Sequence, residues 1–148
     1  MVAKRTPKRA PFRAGFQYAV KVLCTSNIPG TSQTTSSVLP GSYQTAVNVH
    51  NPNDEPVRVR SKIVLGPDRG AISRWVSDEI LPDALIRLDC ETIARAYGMH
   101  FIHGAEGFLV IESTHSLDVT AVYTAGPVAG GVHSIDVEQI RERRVTRG

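Results

Sequence analysis

Apolar and polar residues alternate along several short segments of the chain, and this alternation predicts β-strands. In Phe16–Cys24 the residues Phe, Tyr, Val, Val and Cys occupy every second position. The same period of two recurs in Ser42–His50, Val57–Val64, Leu117–Thr124 and Val132–Ile140. Because successive side chains of a strand point to opposite faces, each segment predicts a strand with one face in a core.

Turn-forming residues separate these segments. Asn51–Asp54 (NPND) lies between the second and third strands, and we predict that it closes a hairpin. Residues 114–116 follow Gly107–Ser113, a nearly continuous apolar run that suits a strand covered on both faces. Residues 25–41 are rich in Ser, Thr, Gly and Pro and predict a long loop.

One short helix is predicted among the strands. Asp89 suits the N-cap, Glu91 the first turn and Gly98 the C′ position, which gives a helix of about two turns. Further extended segments are predicted at Ala71–Val76 and Leu81–Leu88. Together the elements favour an all-β fold, an antiparallel β-sandwich or barrel, and we expect a jelly-roll-like β-sandwich.

Charge divides the chain into a body and two basic ends. Residues 1–14 carry five cations and no acid, residues 139–148 carry four cations against Glu142, and residues 15–138 carry eight cations against thirteen acids. The formal net charge of +3 therefore arises from the ends, while the body is mildly acidic. We expect a basic N-terminal arm over 1–14, a β-sandwich domain over 15–140 and a basic C-terminal tail over 141–148.

Composition narrows the class and the compartment. A chain of 148 residues with 41% hydrophobic residues fits one globular domain. No apolar run reaches the length of a membrane span, and no apolar signal-peptide segment follows the basic N-terminus, so no membrane partner is expected. Cys24 and Cys90 show neither zinc-site nor disulfide-framework spacing, which favours buried free thiols and a cytoplasmic location.

Three cations share one face of the predicted strand Val57–Val64, namely Arg58, Arg60 and Lys62. Such a row is typical of a solvated sheet face or of an edge strand protected from aggregation. It is also suited to binding an anion or an acidic partner, which makes these residues a candidate binding surface.

The basic arm is a second candidate surface. An arm without acids attracts phosphate backbones irrespective of sequence, although it can equally be a solvated end with no partner. Nucleic acid is therefore a possible partner. The candidate contacts are Lys4, Arg5, Lys8, Arg9 and Arg13.

Signals for catalysis are weak. His100 and His103 lie three residues apart and could supply two metal ligands, but Gly98 and Gly104 bracket them in a loop, and we favour surface or interface histidines. Candidate third ligands are His50, His115 and Glu106.

Nucleophile and nucleotide motifs are equally weak. Cys90 at a helix N-terminus could be a stabilised thiolate, although the neighbouring Asp89 carboxylate opposes this. The Gly-x-Ser-x-Gly, P-loop and Rossmann motifs do not occur in the sequence. We therefore expect no metal, no cofactor and no enzymatic activity.

Two stretches carry a family resemblance: TAVNVHNPNDEPVRVRSKIVL (Thr45–Leu65) and GFLVIESTHSLDVTAVYT (Gly107–Thr124). They resemble a group of small bacterial proteins of unassigned function and, more distantly, the sensory rhodopsin transducer family. The resemblance covers about 40 residues, and it implies a soluble cytoplasmic β-sandwich that forms homo-oligomers and works by binding. The chain departs from that family in its basic arms and its longer 25–41 loop, and no functional residues carry over.

These observations favour a non-enzymatic binding or assembly protein, a self-associating β-sandwich that acts as a scaffold or adaptor. The alternative is a nucleic-acid-associated, coat-like protein whose basic arms neutralise phosphates. A third class is a metal hydrolase that uses His100 and His103.

Overall fold

The computed structural model describes residues 8–27, 38–66, 70–98 and 105–146. In these ranges the chain forms antiparallel strands and one short helix, so the expected mostly-β class is confirmed. The elements are β1 (Phe16–Asn27), β2 (Gly41–His50), β3 (Val57–Leu65), β4 (Val76–Ile80), β5 (Leu85–Asp89), α1 (Cys90–Ala96), β6 (Ala105–Ser113), β7 (Asp118–Gly126), β8 (Ser134–Gln139) and β9 (Arg143–Arg144).

The strands form two sheets that are connected by β1. In sheet A the order is β4-β3-β6-β1, with β9 paired to the start of β1. In sheet B, β2 lies between β5 and β7, β8 pairs with β7, and the last three residues of β1 pair with β2. The buried faces of both sheets contribute to one hydrophobic cluster, for example Val20 and Ile63 from sheet A and Val47 and Val119 from sheet B.

The predicted hairpin between β2 and β3 is wrong, although both strands are present. β2 pairs with β5 and β7, whereas β3 pairs with β4 and β6, so the chain crosses from sheet B to sheet A at residues 51–56. The side chain of Asn51 is fully buried in this crossing and donates to the carbonyl oxygens of Glu55 (2.8 Å), Ile80 (3.0 Å) and Leu81 (3.2 Å). The turn residues therefore hold a connection between sheets, since alternation fixes the buried face of a strand and leaves its partner open.

Residues 114–116 make a second crossing of the same kind. β6 lies in sheet A between β1 and β3, whereas β7 lies in sheet B, so these two strands do not form a hairpin. The strand over Gly107–Ser113 is confirmed, but only one of its faces is fully covered within a single chain. On the other face Phe108 is 46% exposed, while Glu112 is buried.

The short helix is confirmed as α1. Asp89 is its N-cap, and Oδ1 of Asp89 accepts a hydrogen bond from the Thr92 backbone N–H at 2.8 Å. Gly98 follows the helix with a φ of 63°, a left-handed conformation that favours glycine. The extended segments predicted at Ala71–Val76 and Leu81–Leu88 are displaced in the structure. β4 begins only at Val76, and residues 81–84 form a turn before β5.

The cysteines do not remain free thiols, which corrects the expectation from their spacing. Cys24 on β1 and Cys90 at the start of α1 form a disulfide with a Cα–Cα distance of 5.6 Å across 66 residues of sequence. Long-range pairing of this kind leaves no local sequence signal, because only the fold brings the two residues together.

Candidate functional site

The outer face of sheet A brings the three cations predicted to share a face together on β3. Val57, Val59 and Ile63 point into the core, so the alternate residues Arg58, Arg60 and Lys62 lie on the opposite face. The structure thus confirms their common face, and each of the three has neighbours that the sequence pattern did not indicate.

Arg60 is the central residue of this face. Its Nε lies 2.8 Å from Oε2 of the buried Glu112, and its guanidinium stacks 4.8 Å from the Phe12 ring and 4.3 Å from the Trp75 ring. Gln17 also donates to Glu112, at 3.2 Å, so both carboxylate oxygens accept hydrogen bonds. Because a buried carboxylate needs such compensation, this arrangement explains how Glu112 is tolerated inside the sheet.

The flanking cations have local partners too. Arg58 donates to the Ala10 carbonyl at 2.8 Å and lies 5.6 Å from the Phe12 ring centroid. The ammonium group of Lys62 lies 4.8 Å above the Trp75 ring. The aromatic rings of Phe12 and Trp75 therefore lie against this row of cations.

The described part of the N-terminal arm lies against the body. Arg9 forms an ion pair with Glu79 on β4, and Ala10 and Phe12 contact the β3 cations. Lys8 and Arg13 are exposed. The remaining predicted contacts, Lys4 and Arg5, lie outside the described residues.

The residues weighed as metal ligands are not brought together in the part of the chain that the structure describes. His100 and His103 lie outside it, and no group of three His, Cys, Asp or Glu residues suited to a metal ion occurs within it. His115 pairs instead with Glu55 (3.0 Å), and Glu106 pairs with Lys21 (2.8 Å).

His50 is held between two carboxylates on the surface. Its Nε2 lies 2.9 Å from Asp83 Oδ1, and its Nδ1 lies 3.1 Å from Asp118 Oδ2. Hydrogen bonding to Asp83 and then to Asp118 raises the pKa of this imidazole above its ordinary value. The pair of ion contacts ties the end of β2 to the 81–84 turn and to the start of β7.

The C-terminal segment after β8 is anchored by a buried tyrosine. The Tyr18 hydroxyl accepts a hydrogen bond from the Leu117 N–H at 2.7 Å and lies 2.8 Å from a Glu142 carboxylate oxygen. Burial, together with Glu142, raises the pKa of Tyr18 to about 12. The tail predicted to begin at residue 141 therefore starts within the packed body.

A groove of about 290 Å³ lies between β1 and this C-terminal segment, and no sequence feature indicates it. The chain leaves β8 in sheet B and reaches β1 in sheet A, where β9 pairs only with Phe16 and Gln17. No local motif could have revealed the groove, because its walls come from distant segments. The lining residues are Ala19, Lys21, Phe108, Glu138, Ile140, Arg141 and Arg143.

Among the described helices, none is long and apolar enough to cross a membrane. In comparisons with known proteins, no family model matches the chain and no curated protein matches it. A solved structure, the crystal structure of Thermotoga maritima 1070, is similar with a TM-score of 0.55 and 8% sequence identity. The match covers 88% of this chain and 96% of that chain, and at this identity it shows a shared fold alone.

Proposed function

We propose that this protein is a non-catalytic assembly protein that associates with further copies of itself through strand β8. The observation that supports this proposal is the exposure of β8, in which all six residues are exposed. Ile135 and Val137 are 65% and 61% exposed, although both belong to residue types that are usually buried.

The backbone of β8 favours strand pairing with a partner. Within the described ranges β8 pairs with β7 on one side only, and it ends the order of strands in sheet B. The Ile140 N–H donates to the Val119 carbonyl at 2.8 Å, which directs the alternate backbone groups of Ile135 and Val137 away from β7. An edge of this kind is a template for another strand.

The side chains next to this edge form an apolar stripe. Val137 is opposite Val122 on β7, and Val122 is opposite Ala46 on β2, so these three share the outer face of sheet B with Ile135. A second copy that pairs along β8 would satisfy the open edge and place its own side chains beside Ile135 and Val137. Symmetric association is the usual solution for such surfaces.

Light scattering of the purified protein at micromolar concentration tests the proposal. We expect the mass of a dimer or a larger closed oligomer, and the double variant Ile135→Lys/Val137→Lys should be a monomer. Leu85→Lys is the matched control, because Leu85 is 58% exposed on β5 of the same sheet. A monomeric wild type, or a β8 variant that keeps its oligomeric mass, would refute the proposal.

The finer fold assignment is part of this proposal. A jelly-roll-like sandwich is supported by the single core that receives side chains from both sheets, and by the repeated crossing of the chain between them. Such a scaffold displays its strands and edges as binding surfaces, in keeping with a scaffold or adaptor role.

The disulfide also bears on the cellular compartment in which the protein works. The expectation of a cytoplasmic protein rested in part on free thiols, and the Cys24–Cys90 disulfide removes that part of its basis. Since disulfides persist mainly in oxidising surroundings, we propose that the protein works outside a reducing cytoplasm. Thiol labelling in the cells that make the protein tests this: both cysteines should be protected until a reductant is added.

A further inference from the structure

We infer that the groove between β1 and the C-terminal segment binds a small organic anion that carries a ring or another apolar body. The groove combines three cations, Lys21, Arg141 and Arg143, with the partly exposed ring of Phe108. This ligand site shares only Glu138 with β8, and its cations and apolar lining lie outside that strand, so the inference does not depend on self-association.

Two of the three cations, Lys21 and Arg143, are held in place before any ligand arrives. Arg143 donates through Nη2 to Gln17 at 2.7 Å, and Lys21 bonds to Glu106 at 2.8 Å while lying 5.5 Å from the Phe108 ring. An arginine has five N–H donors, so Arg143 keeps donors for a ligand after its bond to Gln17. Fixed donors bind an anion better than mobile ones, because less side-chain entropy is lost.

The local charge favours an anion over a cation. Within the described residues, neither Arg141 nor Arg143 pairs with a carboxylate, and Glu138 is the only acid that lines the groove. This excess of positive charge contrasts with the body over 15–138, which has five more acids than cations. Two unpaired guanidinium groups suit a phosphate or carboxylate, which they can bind with two parallel hydrogen bonds.

The apolar lining of the groove indicates that the ligand has an apolar body in addition to its anionic group. Phe108, Ala19 and Ile140 give the groove one apolar side, and its volume of about 290 Å³ is at the small end of ligand sites. A ring attached to a phosphate or carboxylate fits both features, whereas inorganic phosphate would leave the Phe108 ring without a contact.

Titration of the full-length protein with phenyl phosphate, followed by calorimetry or ligand-observed NMR, tests the inference. We expect a dissociation constant of about 1 mM or tighter. Inorganic phosphate should bind at least about fivefold more weakly, since it lacks the apolar contact. No binding of phenyl phosphate at millimolar concentration, or equal affinity for the two probes, would overturn the inference.

Variants assign the site. Arg141→Gln should weaken phenyl phosphate binding about tenfold, as should Arg143→Gln, because each removes a charged donor. Phe108→Ala should weaken phenyl phosphate and leave inorganic phosphate unchanged. The matched control is Arg95→Gln on α1, whose side chain is 73% exposed and lies outside the groove. Unchanged affinity in Arg141→Gln, or an equal loss in Arg95→Gln, would contradict the assignment.

The same titration separates this inference from the proposed function. The Ile135→Lys/Val137→Lys variant leaves every lining residue in place, so it should bind phenyl phosphate like the wild type whatever its mass. Loss of binding in this variant, with the fold intact by circular dichroism, would overturn a site formed within one chain.

Discussion

Asn51 shows how one polar side chain can fix three connections of the fold. Its amide nitrogen donates to carbonyls of the 51–56 crossing, of the end of β4 and of the 81–84 turn. Its Oδ1 accepts from the Asn53 N–H at 2.9 Å. Asn53 in turn donates to Ser116 at 3.0 Å, which adds the second crossing to the network. At this end of the molecule a single buried amide therefore adds side-chain hydrogen bonds to the backbone bonds between Asn51 and the 81–84 turn.

Replacing Asn51 should be strongly destabilising. Asn51→Asp removes the donor and places a carboxylate against three carbonyl oxygens, so we expect the free energy of unfolding to fall by about 2–4 kcal/mol. Urea unfolding followed by circular dichroism measures it. Asn48→Asp on the outer face of sheet B is the control, with an expected change within about 0.5 kcal/mol. Equal effects of the two substitutions would show that the Asn51 network contributes little.

His50 makes stability depend on pH in a defined direction. Asp83 and Asp118 raise the pKa of His50 in the folded state, so the folded protein binds this proton more tightly than the unfolded chain does. The contribution is fully present below the unfolded pKa of about 6.5 and is lost as pH rises through the higher folded pKa. The stability difference between wild type and His50→Gln should therefore shrink with rising pH.

An NMR titration of the imidazole provides the direct measurement. The midpoint for His50 should lie above its ordinary value, and Asp83→Asn and Asp118→Asn should each lower it. A wild-type midpoint at or below the ordinary value would show that the two carboxylates do not hold the imidazolium.

At the scale of the elements, the strands were predictable and their partners were not. Alternation identified the buried faces of β1, β2, β3 and β7, because burial imposes a period of two on each strand by itself. The same pattern in Val132–Ile140 predicted a core-facing side that β8 does not have, since all six of its residues are exposed. Pairing between β2 and β7 depends on residues 68 to 84 positions apart, for example Val47 and Ala121, and leaves no local pattern. The helix was predictable for the opposite reason, since its caps are local.

The same limit applies to the candidate site. The shared face of Arg58, Arg60 and Lys62 follows from period-two alternation along one strand. Their partners Phe12, Trp75 and Glu112 come from three other segments of the chain. The groove escaped prediction because it depends on the path of the chain from β8 to β1.

On the side away from β6, the middle of β1 has no strand partner in the described residues. Side chains from sheet B form hydrogen bonds with backbone groups there. Thr45 on β2 accepts from the Leu23 N–H at 2.9 Å and donates to the Leu23 carbonyl at 3.1 Å, and the Tyr123 hydroxyl donates to the Lys21 carbonyl at 3.0 Å. These bonds join the sheets where strand pairing is missing. The Cys24–Cys90 disulfide lies at the same junction and ties β1 to α1.

Reduction of the disulfide should destabilise the fold measurably. It closes a loop with a sequence separation of 66, for which loop-closure entropy gives about 4 kcal/mol. Urea unfolding with and without a reductant should show a loss of this order. The Cys24→Ala/Cys90→Ala variant should unfold at the same urea concentration in both conditions. Wild-type stability that does not respond to a reductant, with free thiols confirmed, would contradict the expectation.

At the scale of the whole molecule, the basic N-terminal arm both carries much of the positive charge and contacts the folded body. Among the described residues 8–14, Arg9 pairs its charge with Glu79 on the body, and the Phe12 ring lies against Arg58 and Arg60. An arm bound in this way contributes to stability, whereas an arm made only for phosphate would not. The two functions therefore predict different effects of its removal.

Deletion of residues 1–14 distinguishes a docked arm from a nucleic-acid-binding arm. The deletion removes five cations and no acid, so the formal net charge falls from +3 to −2. Loss of the Phe12 and Ala10 contacts should lower the free energy of unfolding by about 1–2 kcal/mol, while unfolding remains cooperative because the core is intact. Phe12→Ala alone should reproduce about half of this loss, since it removes the ring that stacks on two guanidinium groups.

The same pair of proteins, titrated with labelled single-stranded and duplex nucleic acid, tests the alternative function. If the arm serves the body, full-length protein should not bind at about 0.15 M salt, where exposed charges are screened within about 8 Å. Binding that falls steeply with salt in the full-length protein, and that the deletion abolishes, would instead support the coat-like function, because each neutralised phosphate releases counterions. Stability and binding are read from the same two proteins. If the deletion protein is as stable as the full-length protein but has lost nucleic-acid binding, the docked arm is contradicted. If the deletion protein is destabilised and the full-length protein does not bind nucleic acid, the nucleic-acid role is contradicted.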